Sequence, residues 1–146
     1  MLDRVLLVNP AAPGVFDEFE PLNLGFLASF LRREGVTVEI ADEVAGQDVA
    51  AALRRFDPQL VGVTATTPLA ARAAEILQLV RDRGIRTVFG GKHASALPDQ
   101  AGELADHVVV GEGEHALLDL VRSGDGPHII AGRALQHLSD APPPDR

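Results

Sequence analysis

Leu60 to Gly91, LVGVTATTPLAARAAEILQLVRDRGIRTVFGG, is the stretch on which the fold turns. At its two ends, Leu60-Val61-Gly62-Val63 and Thr87-Val88-Phe89 are short and nearly all apolar, as suits strands covered on both faces in a parallel sheet. Between them Leu69, Ala73, Ile76, Leu77 and Val80 recur at spacings of three and four, which lines up one apolar stripe on a helix. Thr67-Pro68 stands where a hydroxyl can cap that helix and a proline can open it, and Gly84 where a left-handed residue can end it. A strand, a helix and a second strand joined this closely make a right-handed crossover between parallel strands.

The same alternation runs outward in both directions. Val5-Leu6-Leu7-Val8 and Val108-Val109-Val110 read as further covered strands, whereas Thr37-Val38-Glu39-Ile40 alternates polar and apolar and fits an edge. Leu24, Leu27 and Leu31, ended by Gly35, and Val49, Ala52, Leu53 and Phe56 supply two more apolar helix stripes. The expected architecture is α/β: a three-layer, doubly wound parallel sheet of five strands, flavodoxin-like or Rossmann-like, in the order 2-1-3-4-5. Beyond Val121 the pattern weakens. Ser123-Gly124-Asp125-Gly126-Pro127 is a turn, His128-Ile129-Ile130-Ala131 fits a short extra strand, and Ala141 to Arg146 is a proline-rich, linker-like tail. The division expected is a binding domain over residues 1–122 and a short strand with its tail over 123–146.

At 146 residues the chain has the size of one domain with one core, and 46% hydrophobic against 23% charged residues is ordinary for a globular protein. A formal charge of −8, with no basic run, excludes the electrostatic footprint of a nucleic-acid or anionic-membrane binder. No apolar stretch approaches the ~20 residues that cross a bilayer, and Met1 to Asn9 lacks a signal-peptide pattern, so a cytoplasmic protein is expected. The absence of cysteine excludes disulfides, thiolate zinc sites, a cysteine nucleophile and an iron-sulfur cluster held by this chain.

Ligands of open parallel sheets bind in the crevice beyond the strand carboxyl ends. Four loops reach it here: Asn9 to Gly14, Thr64 to Pro68, Gly90 to Ser95 and Gly111 to Glu114. Their glycines let backbone approach a bulky ligand, and their hydroxyls and free amides donate hydrogen bonds without charge, which suits a large ligand studded with amides. Each feature also has a structural role open to it. Thr67 fits a helix cap, Gly90-Gly91 a tight turn, and Glu112 and Glu114 the positive end of the helix they open. His93 stands without a second residue at ligating spacing, so no metal ligand is assigned, and His107, His115, His128 and His137 read as surface or packing residues.

Several tenants of this architecture are excluded. The loop Asn9-Pro10-Ala11-Ala12-Pro13-Gly14 has neither the Lys-Ser/Thr of a P-loop, nor the glycines of a dinucleotide fingerprint, nor a hydroxyl-rich flavin-phosphate loop. A phosphoacceptor receiver needs Asp and Lys where this chain has Thr64 and Gly111.

Val5-Leu6-Leu7-Val8-Asn9-Pro10, followed by Pro21-Leu22-Asn23-Leu24-Gly25-Phe26-Leu27-Ala28, resembles the opening of the cobalamin-binding domain that precedes the catalytic barrel of cobalamin-dependent radical SAM enzymes. Val61 to Pro68, Gly90 to Pro98 and Val109 to Glu114 follow that family's pattern in register, and Leu138 to Arg146 is similar to the segment by which its members enter the barrel. The resemblance implies a bound cobalamin. Its candidate contacts are Asn9 and Pro10 after the first strand, Leu22 at the first helix, and Thr64, Thr66 and Thr67 after the third strand. Gly90, Gly91, His93 and Ala94 after the fourth strand and Gly111, Glu112 and Gly113 after the fifth complete the set. The family's three-cysteine motif is absent, so the resemblance implies a non-catalytic domain serving a radical SAM domain or subunit, in cis or in trans, such as a methyltransferase. Related domains carry an Asp-x-His-x-x-Gly motif whose histidine binds cobalt, but residues 9 to 25 contain no His. The mode implied is base-off, with no protein histidine under the metal.

Two other classes stay in view. One is a protein-interaction module of the same ancestry that has lost the cofactor, a reading to which Lys92, where the family often has proline, adds weight. The other is an independent enzyme using Glu112 or His93 as acid or base, which lacks a partner residue at catalytic spacing.

Overall fold

The computed structural model describes residues 2–14 and 22–132. Val5, Leu6, Leu7 and Val8 are at most 1% exposed, so the strand that holds them is covered on both sides, as its unbroken apolar run requires. It is β1 (Arg4–Asn9), and it pairs in parallel with β2 (Thr37–Asp42) on one side and β3 (Leu60–Thr64) on the other. With β4 (Arg86–Gly90), β5 (His107–Val110) and β6 (Ile129–Ala131) they form one parallel sheet in the order β2-β1-β3-β4-β5-β6. The expected five-strand order is borne out and the short extra strand joins the far edge. The alternating second strand lies at the other edge.

Helices α1 (Leu22–Arg33) and α6 (Glu114–Ser123) cover one face. Helices α2 (Val49–Phe56), α3 (Ala70–Asp82), α4 (Lys92–Ala96) and α5 (Pro98–Gly102) cover the other. Gly35 and Gly84 follow α1 and α3 at φ of +90° and +72°, and in each case the next residue's N–H reaches back into the last helical turn. No helix among the described residues is long and apolar enough to cross a membrane.

One local expectation is revised. Thr67-Pro68 opens a 3-10 turn, Thr67–Leu69, ahead of α3, and no side-chain hydroxyl caps either element. The Thr67 hydroxyl lies instead against the buried His93 ring. The connection from β4 to β5, in which no helix stripe is read from the sequence, holds two single-turn helices, divided where Pro98 has no N–H with which to extend α4. The proline-rich tail beyond residue 132 and His137 lie outside the described residues.

The carboxyl end of the sheet is held by a charged tie. Glu43, just after β2, accepts from Arg72 of α3 through both oxygens, at 3.0 and 2.7 Å, and from the Ala11 N–H at 3.1 Å. Burial opposes ionisation of Glu43, but the Arg72 guanidinium and the Ala11 amide outweigh it and hold the carboxyl below its ordinary value of 4.5. A depressed carboxyl stabilises the fold above its unfolded pKa, and that stability is lost as the pH falls through the folded value. Glu43→Gln should therefore cost about 1 kcal/mol at neutral pH, with the difference from wild type shrinking below about pH 4.5, as read by urea unfolding across pH.

Candidate functional site

Val5 and Leu7 of β1, Leu60 of β3, Val88 of β4 and Val109 of β5 point toward the α1/α6 layer, alternating with residues that point to the other core. Gly62 shares the first face and places no side chain on it. Above it lies a slot of about 250 Å³, walled by Leu24 and Leu27 of α1, Leu117 of α6, and Leu7, Val88 and Val109 of the sheet. A Cβ on Gly62 would stand 3.0 Å from Leu7 Cδ2 and 3.4 Å from Val88 Cγ1, so its absence is what keeps the floor open.

The slot opens at the strand carboxyl ends, where Thr64, Gly90, Gly91, Gly111, Glu112 and Gly113 line it. These are the sequence-predicted residues that the fold brings together. Gly91 sits at φ +94°, and a Cβ there would meet Thr64 Oγ1 at 2.5 Å and the Ala65 backbone at 3.1 Å. Neighbouring loops are joined in turn. Asn9 Nδ2 donates to Asp42 Oδ1 at 3.0 Å, the His93 N–H to Ala65 O at 3.1 Å, and the Gly111 N–H to Ser95 Oγ at 3.0 Å. These hydrogen bonds tie the described parts of the rim to one another.

The other candidates lie off the slot. Asn9 and Pro10 are buried where β1 ends, and Leu22 opens α1, its side chain falling outside the described part. Thr66 and Thr67 are exposed on the loop after β3, and Ala94 is wholly buried in α4. His93 is 4% exposed and packs toward Phe89, on the face away from the slot. Its Nε2–H donates to Gln100 Oε1 at 3.0 Å, which leaves Nδ1 to face the Thr67 hydroxyl at 3.3 Å. Of the remaining histidines, His107 is 2% exposed and donates from Nδ1 to Pro127 O, and His115 meets the Phe30 ring edge-on. No metal-holding cluster of His, Cys, Asp and Glu occurs among the described residues.

Sequence reasoning missed the walls of the slot, and with them Gly62; Glu114, though named in the fourth rim loop, was not among the candidate contacts. A lone glycine in an otherwise apolar central strand was the available signal for Gly62. Glu114 opens α6 and lines the slot, with its Oε2 buried. Among the described residues the lining holds no Lys, Arg or His, and its charged side chains are those of Glu112 and Glu114, a setting unsuited to a polyphosphate. A second cleft, of about 690 Å³, lies at the amino ends of the strands among Arg86, Asp106, His107, Asp125 and His128. It is larger but polar and on the opposite side from the loop rim.

An apolar slot under the carboxyl rim of a doubly wound sheet lies where ligand-binding domains of this architecture take their ligands. Comparison with known proteins gives the family. Residues 15–121 match the model of the B12 binding domain, and the chain belongs to that family. It is 32% identical over 131 residues to an uncharacterised methyltransferase of Pyrococcus horikoshii, covering 81% of this chain and 28% of that protein. It is 29% identical over 144 residues to an anaerobic magnesium-protoporphyrin IX monomethyl ester cyclase of Rubrivivax gelatinosus, covering 89% of this chain and 26% of that one. The chain therefore spans little more than a quarter of the length of these relatives. Among solved structures it superposes with a TM-score of 0.72 and 28% identity on the radical S-adenosylmethionine methyltransferase TsrM of Kitasatospora setae, with cobalamin and a [4Fe-4S] cluster bound, covering 86% of this chain and 27% of that one. The resemblance read from the motifs is the relationship that these comparisons find.

Gly91→Ala forces a side chain into a left-handed conformation and against backbone. It should lower unfolding free energy by about 2 kcal/mol, measured by denaturant titration.

Proposed function

We propose that this chain binds cobalamin base-off, with the nucleotide tail inserted in the slot, the corrin resting over the strand ends, and no protein histidine beneath the cobalt. It then holds the corrinoid for a radical SAM or methyl-transfer partner, in the same chain or another, and performs no catalysis of its own. The observation that carries this reading is the slot itself. At about 250 Å³ it is too small for a corrin, yet it suits a flat apolar ring entering edgewise between Gly62 and the α1/α6 leucines.

The rest of the geometry is consistent with that occupant. Glycines at Gly90, Gly91, Gly111 and Gly113 leave backbone near the slot mouth, where amides and the Thr64 hydroxyl are suited to the linker between ring and tail. Pro10, Thr66 and Thr67 lie at the rim on which the corrin would rest, and Asn9 supports that rim through Asp42. His93 and Ala94 act from below as packing for the loop after β4. With both ring nitrogens of His93 facing Thr67 and Gln100, the imidazole is positioned for structure rather than for cobalt. Bound cobalamin supplies methyl-transfer chemistry through its cobalt; the chain's residues bind it, orient it and shield its tail from water.

Titration with methylcobalamin should give a base-off spectrum, shifted to shorter wavelength, that His93→Ala leaves unchanged. A base-on spectrum, or one altered by His93→Ala, counts against the proposal. Gly62→Val would place two methyl groups in the slot. It should weaken cobalamin binding at least about tenfold while cobinamide, which lacks the nucleotide tail, binds as to wild type; circular-dichroism melting checks that the variant is folded.

A further inference from the structure

Glu114 is the first residue of α6 and contributes to the slot wall between Gly113 and Leu117. Its Oε2 is buried and has no hydrogen-bond partner among the described residues. Buried polar atoms are ordinarily paired, and an unpaired carboxylate oxygen is among the costlier exceptions. The positive end of α6 accounts for an acid at this position, but an acid serving the helix alone can do so from solvent, with both oxygens hydrated. The burial of Oε2 beside the wall leucines, with no donor of the described residues in reach, calls for a donor from a ligand.

The donor's chemistry is restricted by the surroundings. It must carry hydrogen on a polar atom, which excludes an ionised phosphate oxygen as the contacting group. It must lie close to the apolar plug, because Glu114 and the wall leucines line one continuous cavity. A sugar hydroxyl attached directly to an aromatic base meets both conditions. We propose that Glu114 is a specificity residue of the slot, its Oε2 accepting a hydrogen bond from a ribose hydroxyl of the ligand's tail. This rests on the tail occupying the slot.

The full chain is titrated by NMR with α-ribazole, the base carrying its ribose, and with 5,6-dimethylbenzimidazole, the base alone. Wild type should bind α-ribazole at least about tenfold more tightly, the scale of a hydrogen bond to a charged acceptor. Glu114→Leu should abolish that preference, bringing the affinities for the two compounds to within about twofold of each other. Glu114→Gln, whose amide oxygen still accepts, should retain part of it. Since the substitution removes an unpaired buried oxygen, Glu114→Leu without ligand should melt no lower than wild type. A lower melting temperature with loss of both compounds would make Glu114 a structural residue and overturn the proposal. Equal wild-type affinities for the two compounds would overturn it while leaving the slot reading standing. Failure of either to bind, in a chain that takes up cobalamin and cobinamide equally, would overturn the slot reading as well.

Discussion

Covering a parallel sheet on both faces leaves little freedom, because each central strand must present apolar side chains alternately to two helix layers at close-packed density. In this chain the layer formed by α3 and its neighbours packs on Leu6, Val8, Val61, Val63 and Phe89, whereas the α1/α6 layer meets a glycine at the centre of β3. The slot follows from that one missing side chain. Its walls are ordinary core residues, and even a small branched group at Gly62 would fill the space between them. The binding site is therefore continuous with the hydrophobic core rather than added to its surface.

The rim depends on a different principle. Loops at strand ends carry unpaired backbone groups and few apolar contacts, so their order has to come from specific hydrogen bonds. Here each loop is tied to the next. Glu43 gathers Ala11 and Arg72, Asn9 meets Asp42, His93 anchors the loop after β3 through its backbone and through Thr67, and Ser95 receives the Gly111 amide. Residues that look chemically reactive in isolation, His93 above all, turn out to be spent on this stitching. What faces the slot mouth is mostly glycine backbone, which offers hydrogen bonds without filling space.

Strand order, edge strand and helix stripes were legible because each depends on local periodicity and on the handedness of short connections. Leu60-Val61-Gly62-Val63 and Thr87-Val88-Phe89 have no surface face to hide, and Thr37-Val38-Glu39-Ile40 has one. The rim loops were legible for the same reason, since each follows a recognisable strand. Two features were not. The role of Thr67 depends on a ring brought to it from 26 residues away, so its cap-like position in sequence was misleading. The division of α4 from α5 rests on a single proline in a segment with no apolar stripe to weigh against it.

By itself, then, the sequence determined the doubly wound architecture, the rim at which a ligand would sit and the kinship with B12-binding domains, because local pattern and ordered motifs survive being read one residue at a time. Only the tertiary structure decided which of the apolar residues enclose a slot and which are plain core, and which face of β4 the His93 ring takes. It also showed that one oxygen of Glu114, a residue lining the cavity, is buried with no partner among the described residues. Those outcomes depend on how separate elements pack above a single glycine, and the spacing of residues along the chain carries no record of the space left between helices.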